Sequence, residues 1–255
     1  MTATTKRALK ILHTADVHLD CDSYGRAEQR QSQRSLFLRA FQNIIDWGID
    51  ERVDLLLIAG DLFDHNRVSE DLVALVQAEL RRLGRPAVIL PGNHDCLYTN
   101  AIYDRYDFSA ACDNVQVITE LKGQVIEFPE LDVVVWGRAM EEHEPGFHPL
   151  EGIPTRYDQR WHVALAHGFF YGAAQEADRS SPIFAEEIRD TGWDYVAMGH
   201  LHVLADKSQD EVKAFYPGAS LVNWNGEESH AQGLLLECTP EHGMVVQPQR
   251  MLLRP

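Results

Sequence analysis

The sequence predicts one α/β domain built on a mixed, two-sheet core, and three features predict it. Five short apolar runs each end in residues able to bind metals or move protons. Lys10-Ile11-Leu12 leads to Asp16-Val17-His18, Leu55 to Ala59 leads to Gly60-Asp61, and Ala87 to Leu90 leads to Gly92-Asn93-His94-Asp95. Val163 to Ala166 leads to His167-Gly168, and Tyr195 to Met198 leads to Gly199-His200-Leu201-His202. The first three runs alternate with helical spacing, a β-α-β-α-β pattern that implies parallel strands. Beyond Asp95 the pattern changes to short strands separated by turns. Open α/β sheets gather ligands at the carboxyl ends of their strands, so groups far apart in the chain can converge.

In chain order, the polar stretch from Asp20 to Gln33 precedes a helix marked by Leu36, Phe37, Ala40, Phe41, Ile44, Ile45 and Trp47. Val53 to Ala59 is apolar on both faces, as a buried parallel strand should be. Ser69 is the N-cap expected for a second helix carrying Leu72, Leu75, Val76 and Leu80, which Gly84 and Pro86 stop. Ile102 to Ala111 forms a short helix. Val115 to Ile118, Gln124 to Phe128 and Asp132 to Trp136 read as an antiparallel meander. A long loop rich in Glu, His and Pro, residues 139–155, could serve as a lid. After His167, Phe169 to Ser181 reads as irregular and Ile183 to Arg189 as a helix; Ala214 to Tyr216, Gly233 to Glu237 and Met244 to Gln247 are strands. There is no internal repeat.

Asp16, His18, Asp61, Asn93, His167, His200 and His202 are seven candidate ligands of oxygen and imidazole type. Two metals about 3.5–4 Å apart need a bridging carboxylate, for which Asp61 is the natural choice, and about three further ligands each. The mixed donor set suits Mn²⁺, Fe²⁺ or Zn²⁺, with Mn²⁺ the first expectation; all-oxygen sites suit Mg²⁺ or Ca²⁺.

Asp16-x-His18, Gly60-Asp61-x-x-Asp64, Gly92-Asn93-His94-Asp95, His167-Gly168 and Gly199-His200-x-His202 resemble, in order, the five signature blocks of the calcineurin-like metallophosphoesterase superfamily. The resemblance implies a four-layer α/β sandwich, two mixed sheets flanked by helices. It places one ion on Asp16, His18, Asp61 and His202, and the other on Asp61, Asn93, His167 and His200. His94 would then donate a proton to the leaving oxygen or stabilise phosphoryl charge, with Asp95 orienting it or supporting the ligands from behind. Asp64 is either a carboxylate behind the ligands or a helix cap, and His65 either lies near the leaving group or is a solvated loop residue.

His13 to Asp20, Gly60 to Asp64 and Tyr216-Pro217-Gly218-Ala219-Ser220 look most like the nuclease subunit of the bacterial double-strand-break repair complex of the SbcCD type. That resemblance implies a phosphodiesterase, an exonuclease acting on DNA with a separate ATPase partner. The alternatives are a hydrolase of small phosphodiesters, cyclic nucleotides or organophosphates, and, from another class, a metal-bound scaffold without turnover. Serine/threonine protein phosphatases carry Arg and Glu where this chain has His65 and Asp95. Only the segment to Pro255 follows Tyr216-Pro217-Gly218, so the expectation is a single metallophosphoesterase domain over residues 1–255 with no separate capping domain.

The net charge of −16 opposes long-range attraction of a polyanion, and two divalent cations would offset only a minor part of it. It does not oppose a small phosphate ester. No apolar run approaches the roughly 18 residues that span a bilayer, and no apolar stretch follows the basic amino terminus, so the expectation is a cytoplasmic protein without a membrane partner. A homodimer is left open. Cys21, Cys96, Cys112 and Cys238 are dispersed and read as reduced thiols. Tyr98, Tyr103, Tyr106 and Phe108 could stack a base or pack under the loop; Arg138, Arg156 and Arg179 could hold a phosphate or stay solvated.

Overall fold

Residues 6–21, 30–173, 178–222 and 228–253 are described by a computed structural model. The first sheet runs β13 (Leu221–Val222), β14 (His230–Thr239), β1 (Leu9–Thr14), β2 (Leu55–Ala59), β3 (Ala87–Leu90) and β4 (Val115–Val117), with β15 (Gly243–Leu252) also on β14. The second runs β11 (Leu204–Asp206), β12 (Lys213–Pro217), β10 (Tyr195–Gly199), β7 (Trp161–His167), β6 (Val133–Gly137) and β5 (Gln124–Phe128). A small third sheet pairs β8 (Phe169–Tyr171) with β9 (Pro182–Phe184). Both large sheets have parallel centres and antiparallel edges: β1 to β4 are parallel, as are β6, β7, β10 and β12. This is the expected four-layer sandwich.

The layers follow from strands that are apolar on both faces. In β1 and β2, Ile11, Leu55 and Leu57 point to the second sheet and meet Val135, Val163 and Leu165. The alternate residues Leu12, Leu56 and Ile58 point the other way, onto the helices. Those helices are α1 (Arg30–Asp50), which buries Phe37, Phe41 and Ile44, and α2 (Glu70–Leu83), which buries Val73, Val76 and Leu80. The outer face of the second sheet is covered by α5 (Ala185–Thr191) through Ile188, with Trp193 beside it. Ser69 caps α2 as expected, accepting from the Leu72 amide, and Gly84 ends it at φ +62°. No helix among the described residues is long and apolar enough to cross a membrane.

Two expectations need correction. Ile102 to Ala111 is not one helix but two, α3 (Ile102–Arg105) and α4 (Phe108–Ala111), because the Asp107 carboxylate accepts from the Ala110 amide and starts a new helix. The three-strand meander does not form. β4 joins β3 in parallel, with Val115 and Ile118 buried, so only β5 and β6 pair antiparallel. The irregular stretch after His167 contains β8, and part of it, like residues 22–29 of the polar stretch after Asp20, lies outside the described residues.

His13 on β1 is fully buried between the sheets, its Nδ1 2.9 Å from the Tyr195 hydroxyl, and burial lowers its pKa to about 3. The unfolded imidazole takes up a proton below 6.5 and the folded one only near 3, so the unfolded state binds more protons between those values. Stability therefore falls as pH drops through that window, by up to ~1.4 kcal/mol per pH unit. His13→Gln, neutral at every pH, should flatten the acid side of a Tm-against-pH profile. A slope identical to that of the unsubstituted protein would contradict this.

Candidate metal centre

The carboxyl ends of β1, β2, β3, β7 and β10 meet at one edge of the sandwich, and the backbone there is bent to suit side chains. Asp16, His18, Asp61 and His200 all have positive φ, between 50° and 101°. A non-glycine residue in that region costs of order 1–3 kcal/mol and persists only where its surroundings enforce it. Here they do: the amides of Asp16, Val17 and His18 donate to the carbonyls of Gly60 and Asp61 at 2.8–3.1 Å. Glycine is required where ligands crowd the chain. A Cβ on Gly92 would lie 2.2 Å from Asp61 Oδ1, and one on Gly60, at φ +95°, 1.9 Å from His167 Nδ1.

The seven sequence-predicted ligands come together in two groups that share Asp61. In the first, His18 Nε2 lies 3.0 Å from His202 Nε2 and 3.8 Å from Asp61 Oδ2, while His202 Nε2 is 3.6 Å from Asp16 Oδ1. In the second, His167 Nε2 lies 3.3 Å from the same Asp61 Oδ2 and 3.0 Å from Asn93 Oδ1, which is itself 2.8 Å from His200 Nδ1. Asp16, Asp61 and His167 also group closely enough to share an ion, as do Asp16, His18 and His202.

The donor set fits divalent ions. The His18 and His167 rings each have their other nitrogen engaged: His18 Nδ1 with Asp64 Oδ1 at 2.9 Å, and His167 Nδ1 with the Ala59 carbonyl at 2.9 Å. A proton held on each Nδ1 leaves the Nε2 lone pair facing the carboxylates, the arrangement usual for histidine ligands. Burial disfavours charge on His167, yet Asp61, by charge and hydrogen bond, and Asp16 raise its imidazole to about 9. The site thus favours positive charge where the acceptor atoms converge. Burial, with His167 beside it, lowers His200 to about 3, so that ring is neutral, whereas an ion held by His167 would displace its second proton.

His94 stands beside the first group without joining the pairs that share Asp61. Its amide donates to Asp61 Oδ1 at 2.8 Å, and its ring meets that of His18 edge-on at 4.7 Å between centroids. His94 Nδ1 lies 2.9 Å from the Asp64 carbonyl and 3.6 Å from Asp64 Oδ1. Asp64 therefore supports both His18 and His94. Asp95 is fully buried and turned elsewhere: it accepts from the Gly92 and Phe63 amides at 2.7 and 3.1 Å and from the Tyr103 hydroxyl at 2.8 Å. It braces the β3 loop against the loop after β2, while the support of the His94 ring falls to Asp64. Burial and the nearby Asp61 raise Asp95 to about 6. His65 accepts from the Arg67 amide and lies 3.6 Å from Asp20.

Around this centre, Tyr103 and Phe108 pack with Phe63 beneath the loop, whereas Tyr98 is exposed. Arg138 is bound to the Leu121 and His148 carbonyls and to Glu151, and Arg156 to Asp194. His143, in the 139–155 loop, is given no chemical task by the sequence, yet its ring lies 5.1 Å from that of His200. No periodicity or motif marks it. None of the four cysteines is joined in a disulfide.

The calcineurin-like phosphoesterase family model matches residues 9–204. Haloferax volcanii DNA double-strand break repair protein Mre11 is 30% identical over 238 residues, covering 91% of this chain and 50% of that protein. An uncharacterized metallophosphoesterase of Bacillus subtilis, YhaO, is 26% identical over 241 residues, covering 82% of this chain and 52% of that protein. The chain spans about half the length of these two relatives. Among solved structures, TT1561 of Thermus thermophilus superposes with a TM-score of 0.60 at 11% identity, covering 97% of this chain and 100% of that one. A dimetal phosphatase from Danio rerio superposes at 0.53 and 13%, covering 96% of this chain and 99% of that one.

Proposed function

The chain belongs to the calcineurin-like phosphoesterase family, and from that premise we propose that it hydrolyses phosphodiester bonds, with two divalent transition-metal ions, Mn²⁺ first among Mn²⁺, Fe²⁺ and Zn²⁺. Asp16, His18, Asp61 and His202 would hold one ion and Asp61, Asn93, His167 and His200 the other. The observation that carries this is the single Asp61 Oδ2 set between His18 Nε2 at 3.8 Å and His167 Nε2 at 3.3 Å, one carboxylate serving two groups. When bound, the ions supply Lewis acidity toward the phosphoryl oxygens and activate a water.

The protein's own part is positioning and proton transfer. Asp64 holds the His18 ring from behind through Nδ1 and anchors the His94 ring through its carbonyl. His94, its side chain 41% exposed, is then free to present Nε2 to the departing oxygen and give it a proton. Asp95 and Tyr103 keep the loop carrying Asn93 and His94 in register with β2.

The substrate reading favoured by sequence likeness is a DNA end, because the relative at 30% identity is named a double-strand break repair protein. An exonuclease of this kind would act with a separate ATPase partner. The net charge of −16 favours the second reading, a small phosphodiester. Metal-loaded protein assayed with Mn²⁺ on single-stranded DNA beside bis-p-nitrophenyl phosphate separates them: cleavage of both supports the nuclease, and cleavage of the aryl diester alone supports the small substrate. Hydrolysis of neither would overturn the phosphodiesterase.

A further inference from the structure

We propose that His143, Phe169 and Arg179 form a subsite beside His200 that takes a second phosphate of the substrate, one linkage away from the bond being cut. This deepens the phosphodiesterase reading above and rests on it. The His143 ring lies 5.1 Å from the His200 ring and the Phe169 ring 6.5 Å from it, edge-on. Arg179 extends over Phe169, its guanidinium carbon 4.8 Å from the ring centroid. Two polar groups that are not candidate ligands thus stand near His200, His143 directly and Arg179 by way of Phe169.

Both groups are held yet uncommitted. The buried Ser181 ties the 139–155 loop to the strand after His167: its amide donates to the Glu144 carbonyl, its carbonyl accepts from the Phe169 amide, and its hydroxyl lies 3.1 Å from His143 Nδ1. With the Ser181 hydroxyl donating to Nδ1, His143 carries its hydrogen on Nε2, where it can donate to an anionic oxygen. Of the three arginines that the sequence marks around the site, Arg138 and Arg156 are bound to carboxylates. Arg179 forms no ion pair among the described residues, and the adjacent Asp178 carboxylate accepts from the Tyr171 hydroxyl instead. A guanidinium stacked on an aromatic face keeps its hydrogen-bonding fork open, the geometry suited to a phosphate.

The test uses the full chain with Mn²⁺ and three substrates that share one scissile linkage: the thymidine dinucleotide without a terminal phosphate, and its 5′- and 3′-phosphorylated forms. Arg179→Ala should raise KM for one of the phosphorylated forms by about tenfold or more, with kcat little changed, because a charge-assisted contact is lost. It should leave the unphosphorylated dinucleotide unaffected. Arg179→Lys should recover part of the loss, and His143→Ala should shift KM for the same form in the same direction. Equal changes on all three substrates, or none, would overturn the subsite. Should the unsubstituted protein cleave none of them, turnover of dinucleotides is lost as a readout, and the phosphodiesterase reading is decided separately by the bis-p-nitrophenyl phosphate assay above. Equilibrium binding of the fluorescein-labelled phosphorylated dinucleotides to Mn²⁺-loaded protein then decides the subsite: weakening of about tenfold in Arg179→Ala supports it, and unchanged affinity removes it.

Discussion

Replacing His94 with alanine should leave metal binding intact and cut turnover by roughly 10²–10⁴ on a diester with a poor leaving group, the range expected when a positioned proton donor is lost. The expectation comes from where the side chain stands. His94 is held through its main chain, the amide donating to Asp61 Oδ1, and through Nδ1 against the Asp64 carbonyl, so removing the ring takes away no candidate ligand, only an edge-on contact with His18. An alkoxide leaving group needs a proton as the phosphorus–oxygen bond breaks, whereas p-nitrophenolate departs without one. The loss should therefore shrink to a small factor on bis-p-nitrophenyl phosphate. Equal losses on both substrates would show that the imidazole serves phosphoryl charge or substrate binding instead, and loss of bound metal would show that it serves the ions.

Much of this site is legible in the sequence because its parts are short and local. A strand that runs apolar on both faces and stops at a glycine and a polar donor side chain needs no tertiary knowledge to be read, and the Gly60-Asp61 and Gly92-Asn93 breaks fall where the strands end. What escapes is set by contacts between distant segments. Asp95 follows His94 directly, yet its carboxylate is taken by two amides and by Tyr103, a pairing that depends on how the loops after β2 and β3 stack. β4 has the composition of a meander strand, but burial of Val115 and Ile118 beside Ile89 draws it into the first sheet in parallel. His143 is invisible for a similar reason: its place depends on Ser181, 38 positions away, tying down a loop whose sequence looks like solvated surface.

Asp61→Asn should be the most damaging single substitution in the protein, and it tests the shared carboxylate on which the two-ion reading stands. Asparagine keeps the shape and retains an oxygen able to accept from the His94 amide at the position that now receives it at 2.8 Å. What it removes is the negative charge between His18 and His167. With that charge gone, bound metal should fall below two ions per chain. Lewis-acid stabilisation worth several kcal/mol goes with it, so turnover should drop by roughly 10³-fold or more. A second readout does not depend on activity. An ion present at 100 times its Kd stabilises the folded state by about 2.7 kcal/mol, and each kcal/mol moves Tm by roughly 2–4 °C in a chain of this size. Added Mn²⁺ should therefore raise Tm by roughly 5–10 °C in the unsubstituted protein, with chelation reversing the rise, and Asp61→Asn should lose most of it. Two ions still bound, a full thermal shift and turnover within about tenfold of the unsubstituted protein would together mean that Asp61 does not bridge.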